Sequence, residues 1–510
     1  MPLLGKLIKH AIQLTGDLIE EDSAPHRLQA QTLYKLIDQA KDTAFGRAYG
    51  FADLLSQPDL RSRFREQVPV FDYKRMYDTY WQQLLQGKGN VSWPGAVEYF
   101  AISSGTSGSE SKRIPITEDM LDSIRKVGLQ QVLSLKHFDV PEEVFESEIL
   151  MLGSSTDLAR QPHGYEGQIS GISASRIPSW LDTWYYRPGK DIAAIHDWDA
   201  RIAAIIEQAP QWNIGAIAGI PSWIQLMLKR LIAHYDLSNI HELWPNLAFF
   251  SSGGVPFEPY RKGFEKLLAH PLHYLDTYLA SEGFFAYTAR PDTLAMRLAL
   301  DQGCYYEFLP FDGDHVDANG MPKPGVTPTL IEHVTTDQDY VLLVSTCAGA
   351  WRYMVGDTIR FTDLAHSEIM ITGRTSSFLN IVGSQLSEQK LGQAVATLEE
   401  ALDVNIDEYT VAAVQNDADE WGHHWFLGLA EGQQLDAQHA AEVLDRTLQD
   451  LNKNYAVARS KALEHVWVEA TPAQQFYQWL GQEKQMGGQT KMPRVLDQDR
   501  YASFVQFLAK

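Results

Sequence analysis

The chain has 510 residues, of which 45% are hydrophobic, so it can form about two to four domains and is too apolar to be mostly disordered. Its 65 acidic and 43 basic residues give a net charge of -22, which argues against a general binder of nucleic acid or anionic membranes. Two cysteines exclude a disulfide framework and a cysteine-rich metal site.

No segment of the sequence indicates membrane insertion or secretion. The start, Met1–Ile19, has apolar residues at helical spacing and no small-residue cleavage site after them, which predicts an amphipathic helix. The most apolar stretch, Ile214–Leu228, is interrupted by Pro221 and is too short to cross a bilayer. We therefore expect a cytoplasmic protein with no stable membrane association.

The pattern of apolar residues changes near position 95. Residues 1–95 are predicted to be mostly helical, and short apolar runs then alternate with amphipathic stretches, which indicates an α/β fold with a largely parallel sheet. The predicted strands are Tyr99–Ser103, Glu148–Leu152, Ile214–Ala218, Leu247–Ser251, Met296–Leu300 and Tyr340–Ser345. The predicted helices between them are Thr117–Leu135, Asp191–Gln208, Ser222–His234 and Glu258–Ala269.

The tail has a different pattern and predicts a separate small α+β domain. Its predicted elements are helix Ser387–Leu402, strands Tyr409–Val414 and Trp425–Leu429, helix Ala437–Leu451 and strand His465–Val468. We place the domain boundary near Gly373. The fold class is thus α/β, with a large N-terminal domain of mixed and parallel sheets (residues 1–372) and a small mobile C-terminal domain (residues 373–510).

The segment Ser103–Lys112, SSGTSGSESK, is the sharpest chemical feature. Its glycines let backbone N–H groups turn inward around an anion, its hydroxyls add donors, and Lys112 supplies the charge that a polyphosphate needs. It follows a predicted strand and leads toward a predicted helix. It is not a Walker A loop, because no glycine directly precedes Lys112 and no Ser or Thr follows it.

This loop resembles the phosphate loop of the adenylate-forming superfamily of acyl-CoA ligases and luciferases. With Ile114-Pro115 after it, the loop is most similar to that of the auxin-responsive acyl-acid amido synthetases, the Gretchen Hagen family. Further segments resemble that family's motifs in the same order. These segments are Phe249–Pro256, Tyr278–Gly283, Trp351–Asp357, Gly373-Arg374 and Gln489–Arg494.

The resemblance implies a role for each matching residue. Lys112 and Lys491 would act in catalysis, Lys491 by reaching the α-phosphate during adenylation. Glu282 would hold Mg²⁺, since a hard cation takes oxygen ligands. The residues it assigns to ATP are Ser103, Ser104, Gly105, Thr106, Ser107, Gly253, Gly254, Tyr278, Ser281, Asp357 and Arg374.

The implied reaction has two halves that use ATP, Mg²⁺, a small carboxylic acid and an amine such as an amino acid. The acid would displace pyrophosphate to give an acyl-AMP, and the amine would then displace AMP, after the C-terminal domain has rotated. No acceptor residue decides between this amido synthetase and an acyl-CoA ligase that shares the first half. A nucleotide-binding homologue without catalysis is the third possibility.

The sequence leaves the acyl pocket open. The segments expected to border it are Leu152–Leu158, Gly167–Ser175, Gly219–Trp223 and Gly283–Tyr287, because loops at the carboxyl ends of strands bind ligands in α/β folds. Their aromatic residues Trp223, Phe284 and Phe285 suit a flat apolar acid, and they equally suit an ordinary core.

Overall fold

The computed structural model describes residues 24–103, 112–177, 185–254, 257–317, 321–375, 386, 388–416, 420–461, 463–483 and 491–509. The amphipathic helix predicted for Met1–Ile19 lies outside these residues. Ser104, Gly105, Thr106 and Ser107 of the predicted phosphate loop also lie outside them.

Most of the longer helices present an apolar stripe to a sheet, and several begin at a side chain that caps the first turn. Thr117, for example, accepts a hydrogen bond from the backbone N of Met120, 3.1 Å away. The described α-helices are α1 (Pro25–Ala40), α2 (Ala44–Ala48), α3 (Phe51–Leu54), α4 (Leu60–Gln67), α5 (Tyr73–Met76), α6 (Gln82–Leu85), α7 (Glu118–Ser134), α8 (Ile169–Ser175), α9 (Lys190–Ala193), α10 (Trp198–Gln208), α11 (Pro221–His234), α12 (Glu258–Glu265), α13 (Glu388–Leu402), α14 (Ala437–Leu451), α15 (Lys453–Lys461), α16 (Ala473–Glu483) and α17 (Gln498–Leu508).

The strands form three sheets in the described part of the chain. The strands are β1 (Tyr99–Ser103), β2 (Lys112–Ile116), β3 (Glu148–Leu152), β4 (Ala159–Gln161), β5 (Gly164–Gly167), β6 (Tyr186–Arg187), β7 (Ile214–Gly219), β8 (Phe249–Gly253), β9 (His273–Ala280), β10 (Gly283–Tyr287), β11 (Met296–Leu298), β12 (Cys304–Pro310), β13 (Asp339–Thr346), β14 (Tyr353–Asp363), β15 (Glu368–Arg374), β16 (Ile406–Gln415), β17 (Trp421–Leu429), β18 (Leu463–Pro472) and β19 (Val495–Leu496).

The largest sheet is half parallel and half antiparallel. Its order is β12-β13-β14-β15-β11-β10-β9-β8-β7-β3-β6. The strands from β9 to β6 run parallel, with helices such as α11 between them, whereas those from β12 to β9 pair antiparallel. The fold class is confirmed as mixed α/β, but the expectation of a largely parallel sheet holds for only one half. In the described part of the chain, no α-helix separates the strands from β9 to β15, so the alternation of helices and strands that predicts a parallel sheet is missing there.

The N-terminal helices pack on the antiparallel half, and the buried side chain of Arg352 connects the two. Arg352 is 4% exposed and donates from Nε and Nη2 to the two carboxylate oxygens of Glu307, at 2.8 and 2.9 Å. Its Nη1 donates to the backbone oxygens of Arg65 and Val68 around the end of α4. Arg352 lies in the segment Trp351–Asp357, which resembles a nucleotide-binding motif. Its hydrogen bonds nevertheless go to Glu307 and to the backbone around the end of α4.

The C-terminal unit, residues 388–509 as described, has its own sheet and apolar core. The sheet order is β18-β17-β16-β19, with α13 and α14 on the core side. The predicted tail elements are confirmed, and helix Ala437–Leu451 has the predicted bounds. Gly373, near which we place the domain boundary, lies inside β15, one residue before its end. The division into residues 1–372 and 373–510 stays a prediction.

Most predicted elements match, and the deviations are local. Asp191–Gln208 is split into α9 and α10 because Asp197 caps a new helix there, and Leu247–Ser251 is shifted to Phe249–Gly253. Among the helices in the described part of the chain, none combines the length and the apolar character needed to cross a bilayer.

Candidate active site

The serine- and glycine-rich loop connects two antiparallel strands. Ser103, the last residue of β1, pairs with Lys112, the first residue of β2, so both ends of the loop lie side by side. The sequence analysis predicted a strand before the loop and a helix from Thr117, and the structure adds strand β2 between the loop and that helix. β2 forms because Ile114 and Ile116 are buried, and α7 begins only at Glu118.

Lys112 lies close to Glu282. The Nζ atom of Lys112 is 5.6 Å from the ring centre of Tyr73. Glu282 lies in the tight turn between β9 and β10 and is 6% exposed. Burial raises the pKa of its carboxyl group, and the positive charge of Lys112 opposes this shift. The structure therefore brings together the predicted catalytic lysine and the predicted metal ligand; Ser281 is in the same turn.

Tyr278, Asp357 and Arg374 form one hydrogen-bonded group. The Tyr278 hydroxyl donates to Asp357 Oδ2 over 2.6 Å, and Arg374 Nε donates to Asp357 Oδ1 over 2.9 Å. Strands β10, β11 and β15 lie between β9 and β14 in the sheet order, which would separate the two strands by about 19 Å in a flat sheet. The sheet is therefore strongly curved, and its curvature brings Tyr278 to Asp357.

Lys491 reaches this group from the C-terminal unit. Its Nζ atom donates a hydrogen bond to the backbone oxygen of Gly254 over 2.8 Å. Gly253 ends β8, and Gly254 follows it with a φ of +84°, a conformation that favours glycine. The loop predicted to approach a nucleotide thus contacts the lysine predicted to act on its α-phosphate.

The surroundings of Lys491 favour its neutral form. Burial and the positive charge of Arg374 together lower the pKa of its amine to about 8, against the opposing effect of the carboxylates of Asp357 and Glu388. Sequence reasoning assigned no role to Glu388, which begins α13 among these charges. A glutamate in the first turn of a helix is ordinary, so the sequence pattern does not single out this position.

We predict that adenylation slows as the pH rises through about 8. Lys491 can stabilise phosphate charge only when protonated, so its contribution is present below the pKa of about 8 and lost above it. The kcat/KM for ATP, measured as acid-dependent pyrophosphate release, should fall on the alkaline side. Lys491→Arg should be slower but should lack this fall, since arginine keeps its proton. If kcat/KM fell in the same way at alkaline pH in Lys491→Arg, the fall would belong to the titration of another group.

We predict that Gly254→Ala slows adenylation by displacing Lys491. A Cβ atom at Gly254 would lie 2.7 Å from Lys491 Nζ, and the φ of +84° adds strain of about 1–2 kcal/mol. Gly432 has a similar φ of +79° with open space around it, so Gly432→Ala is a matched control for strain alone. Equal losses in pyrophosphate release for both variants would contradict displacement of Lys491.

The aromatic candidates for the acyl pocket lie largely in the core. Trp223 is fully buried against Trp198 and Tyr477, with ring centres 4.5 and 5.5 Å away. Phe285 is fully buried between Tyr278 and Tyr306. These contacts favour the core interpretation for both residues. Phe285 still bears on the site, because its edge-on contact supports the ring of Tyr278.

Three family models match the chain and together cover well over half of it. They are the GH3 family N-terminal domain over residues 16–209, the central domain over 297–374 and the C-terminal domain over 389–500. Among curated relatives, the "Probable indole-3-acetic acid-amido synthetase GH3.6" of Oryza sativa subsp. japonica is 28% identical over 159 residues, 30% of this chain and 32% of that protein. The rice protein "Probable indole-3-acetic acid-amido synthetase GH3.1" is 22% identical over 72% of this chain and 69% of its own length.

Solved structures of adenylate-forming enzymes share the fold. The GH3.15 acyl acid amido synthetase superposes with a TM-score of 0.77 at 17% identity, covering 98% of this chain and 96% of that one. A 2-hydroxyisobutyryl-CoA ligase in its postadenylation state, with 2-HIB-AMP bound, superposes with a TM-score of 0.59 at 12% identity. That match covers 95% of this chain and 91% of the ligase.

Proposed function

The chain belongs to the GH3 family, and on that basis we propose that it is an ATP-dependent acyl-acid amido synthetase. It joins a small carboxylic acid to an amino acid or another amine through an acyl-adenylate. The observation that carries the proposal is the convergence of Lys491, Gly254, Tyr278, Asp357 and Arg374 from five separate segments of the chain.

In the first half-reaction an oxygen of the acid attacks the α-phosphorus of ATP, and the bond to the β-phosphate breaks. Both reactants are anionic, so the site must supply positive charge in fixed positions. Lys491 supplies it at the α-phosphate and Lys112 at the phosphate loop. Asp357, which is hydrogen-bonded to Arg374 and Tyr278, would accept hydrogen bonds from the ribose hydroxyls.

The residues around Glu282 fit a magnesium ion that accompanies ATP. Glu282 offers carboxylate oxygens, the ligand type that Mg²⁺ takes, from a turn in which the group is buried. Burial raises the pKa of an isolated carboxyl group, so a nearby cation would favour its ionised form. Glu282 would hold the ion, which neutralises charge on the leaving pyrophosphate.

In the second half-reaction the amine nitrogen attacks the activated carbonyl, and the bond from that carbon to the AMP oxygen breaks. The amine loses a proton, and AMP leaves. Lys491 has no role in this half, and its hydrogen bond to Gly254 would be released when the C-terminal unit turns away. A coenzyme A thiol is the alternative acceptor, because the same fold serves a CoA ligase.

The test is acid-dependent pyrophosphate release from Mg-ATP across a panel of aryl, indole and fatty acids. The panel includes 2,4-DB, which is bound in a solved structure of a GH3.15 enzyme. Each acid is tested alone, with pooled amino acids and with coenzyme A, and products are identified by mass. An amide in the amino-acid arm supports the proposal and names both substrates. A thioester confined to the coenzyme A arm moves the protein to the ligases, and silence in every arm contradicts adenylation.

A further inference from the structure

A buried polar contact joins the large N-terminal part of the chain to the C-terminal unit, next to Lys491. Tyr260 on α12 is 4% exposed and accepts a hydrogen bond from Arg494 Nη2. Its hydroxyl donates to Glu408 Oε1 over 3.3 Å. Arg494 and Glu408 form an ion pair and are 6% and 2% exposed. We call Tyr260, Glu408 and Arg494 the latch.

The latch is connected to Lys491 by a short, fixed piece of backbone. Arg494 lies three residues after Lys491, and its backbone oxygen accepts a hydrogen bond from Val411 N over 3.0 Å. The hydroxyl of Thr410 donates to the backbone oxygen of Pro493 over 2.7 Å. These bonds attach the segment after Lys491 to β16, so the position of the C-terminal sheet sets the position of Lys491.

Two contacts join the segment Lys491–Arg494 to the segment Gly254–Tyr260, one at each end. Lys491 contacts Gly254, and Arg494 contacts Tyr260, six residues further along the large part of the chain. The ion pair of Lys229 with Asp407 also joins the two parts, but it is more exposed, since the lysine side chain is 40% exposed. Buried hydrogen bonds to charged groups contribute more than exposed ion pairs, so the latch contributes more to docking than this ion pair.

We propose that the Tyr260 hydroxyl is a positioning group that holds Lys491 in the adenylating arrangement and has no part in amide formation. When the C-terminal unit turns away, Glu408 and Arg494 move together and stay paired, and within the latch only the hydrogen bonds to Tyr260 break. The hydroxyl of Tyr260 thus biases the arrangement, whereas its ring belongs to the apolar core of the large part. The reaction readouts below rest on the proposed function, whereas hydrogen exchange does not.

The test compares Tyr260→Phe with Tyr274→Phe in the full-length protein. Tyr274 is a partly buried tyrosine beside α12, and its ring packs on Phe257 and Arg261 of the large part of the chain. The first half-reaction is followed by acid-dependent exchange of pyrophosphate into ATP. The second is followed by amide formation from a synthetic acyl-adenylate and the amine. The rate of pyrophosphate exchange should fall about 10- to 100-fold in Tyr260→Phe, as expected for a lost hydrogen bond to a charged group. In Tyr274→Phe it should stay near the wild-type rate.

A double-variant cycle separates positioning from a general structural effect. If Tyr260 acts through Lys491, Tyr260→Phe should cause little further loss of exchange in a Lys491→Ala background. Amide formation from the acyl-adenylate should be unchanged or faster in Tyr260→Phe. Equal losses in both half-reactions, or an undiminished loss in the Lys491→Ala background, would overturn the proposal.

Hydrogen exchange reads the latch without any substrate. Peptides containing Val411 and the segment from Lys491 to Leu496 should exchange faster in Tyr260→Phe than in wild type or Tyr274→Phe. A wild-type protein with no activity in either half-reaction would contradict the proposed function. The role of Tyr260 in the latch would then be tested by hydrogen exchange alone. Unchanged hydrogen exchange in these peptides would overturn the proposal for Tyr260.

Discussion

Replacing Lys491 with alanine should slow the adenylation half-reaction by about 100- to 1,000-fold and leave amide formation from a supplied acyl-adenylate nearly unchanged. The reason is local, because the Lys491 amine is the group that the C-terminal unit places at Gly254, beside Asp357 and Arg374. A preorganised charge at the reacting phosphate stabilises the transition state by about 3–4 kcal/mol. The measurement is pyrophosphate exchange for the first half and product mass for the second.

The matched control is Lys35→Ala, which removes an exposed lysine from α1. It should retain both half-reactions. Unfolding curves of both variants should match wild type, since neither lysine belongs to an apolar core. If Lys491→Ala lost both half-reactions in equal measure, the lysine would support the structure of the site rather than act at the α-phosphate.

Replacing Arg352 with methionine should lower the free energy of unfolding by about 3–5 kcal/mol. The substitution keeps much of the volume but removes the cation paired with Glu307, which is 1% exposed, and leaves the carboxylate buried without its partner. It also removes the donor to the backbone oxygens of Arg65 and Val68, which connects α4 to the sheet. Denaturant unfolding followed by tryptophan fluorescence measures the change.

Arg360→Met on β14, the strand that begins directly after Arg352, provides the comparison. Arg360 pairs with Asp339 at 2.8 Å, but its side chain is 39% exposed, and exposed pairs contribute about 0–1 kcal/mol. In addition, Glu307→Gln in the Arg352→Met background should recover part of the lost stability, because no buried charge then remains. A change no larger than that of Arg360→Met would show that the buried pair and the bonds of Arg352 to the end of α4 add no more stability than an exposed ion pair.

Sequence reasoning located the site residues because their signals are local. Ser103 and Lys112, Tyr278 to Glu282, and Asp357 each lie in a short motif whose residue types suit one kind of ligand. Where the motif residues fall within the described chain, the structure brings them to two neighbouring groups, one around Asp357 and one around Glu282. Their roles toward ATP and Mg²⁺ stay predictions, as does the assignment of residues 104–107.

The features that the sequence did not indicate depend on contacts between distant segments. Arg352 falls inside a motif, yet its partners are 45 residues before it and at the end of α4. The hydroxyl of Tyr260 meets residues 148 and 234 positions away. Strand β2 was not predicted, because it begins with Lys112 and Arg113 and has too few apolar residues to show the alternation typical of a strand. Single-sequence periodicity reports one element at a time and cannot reveal such pairs.

The central claim is that the acid is activated as an acyl-adenylate, and isotope transfer tests it most directly. The acid that responds in the pyrophosphate assay is prepared with ¹⁸O in its carboxylate and incubated with Mg-ATP, the amine and the enzyme, and the phosphorus-containing products are analysed by mass. The account predicts one ¹⁸O atom in AMP and none in pyrophosphate. Formation of ADP with ¹⁸O in inorganic phosphate would indicate an acyl-phosphate instead and would contradict it.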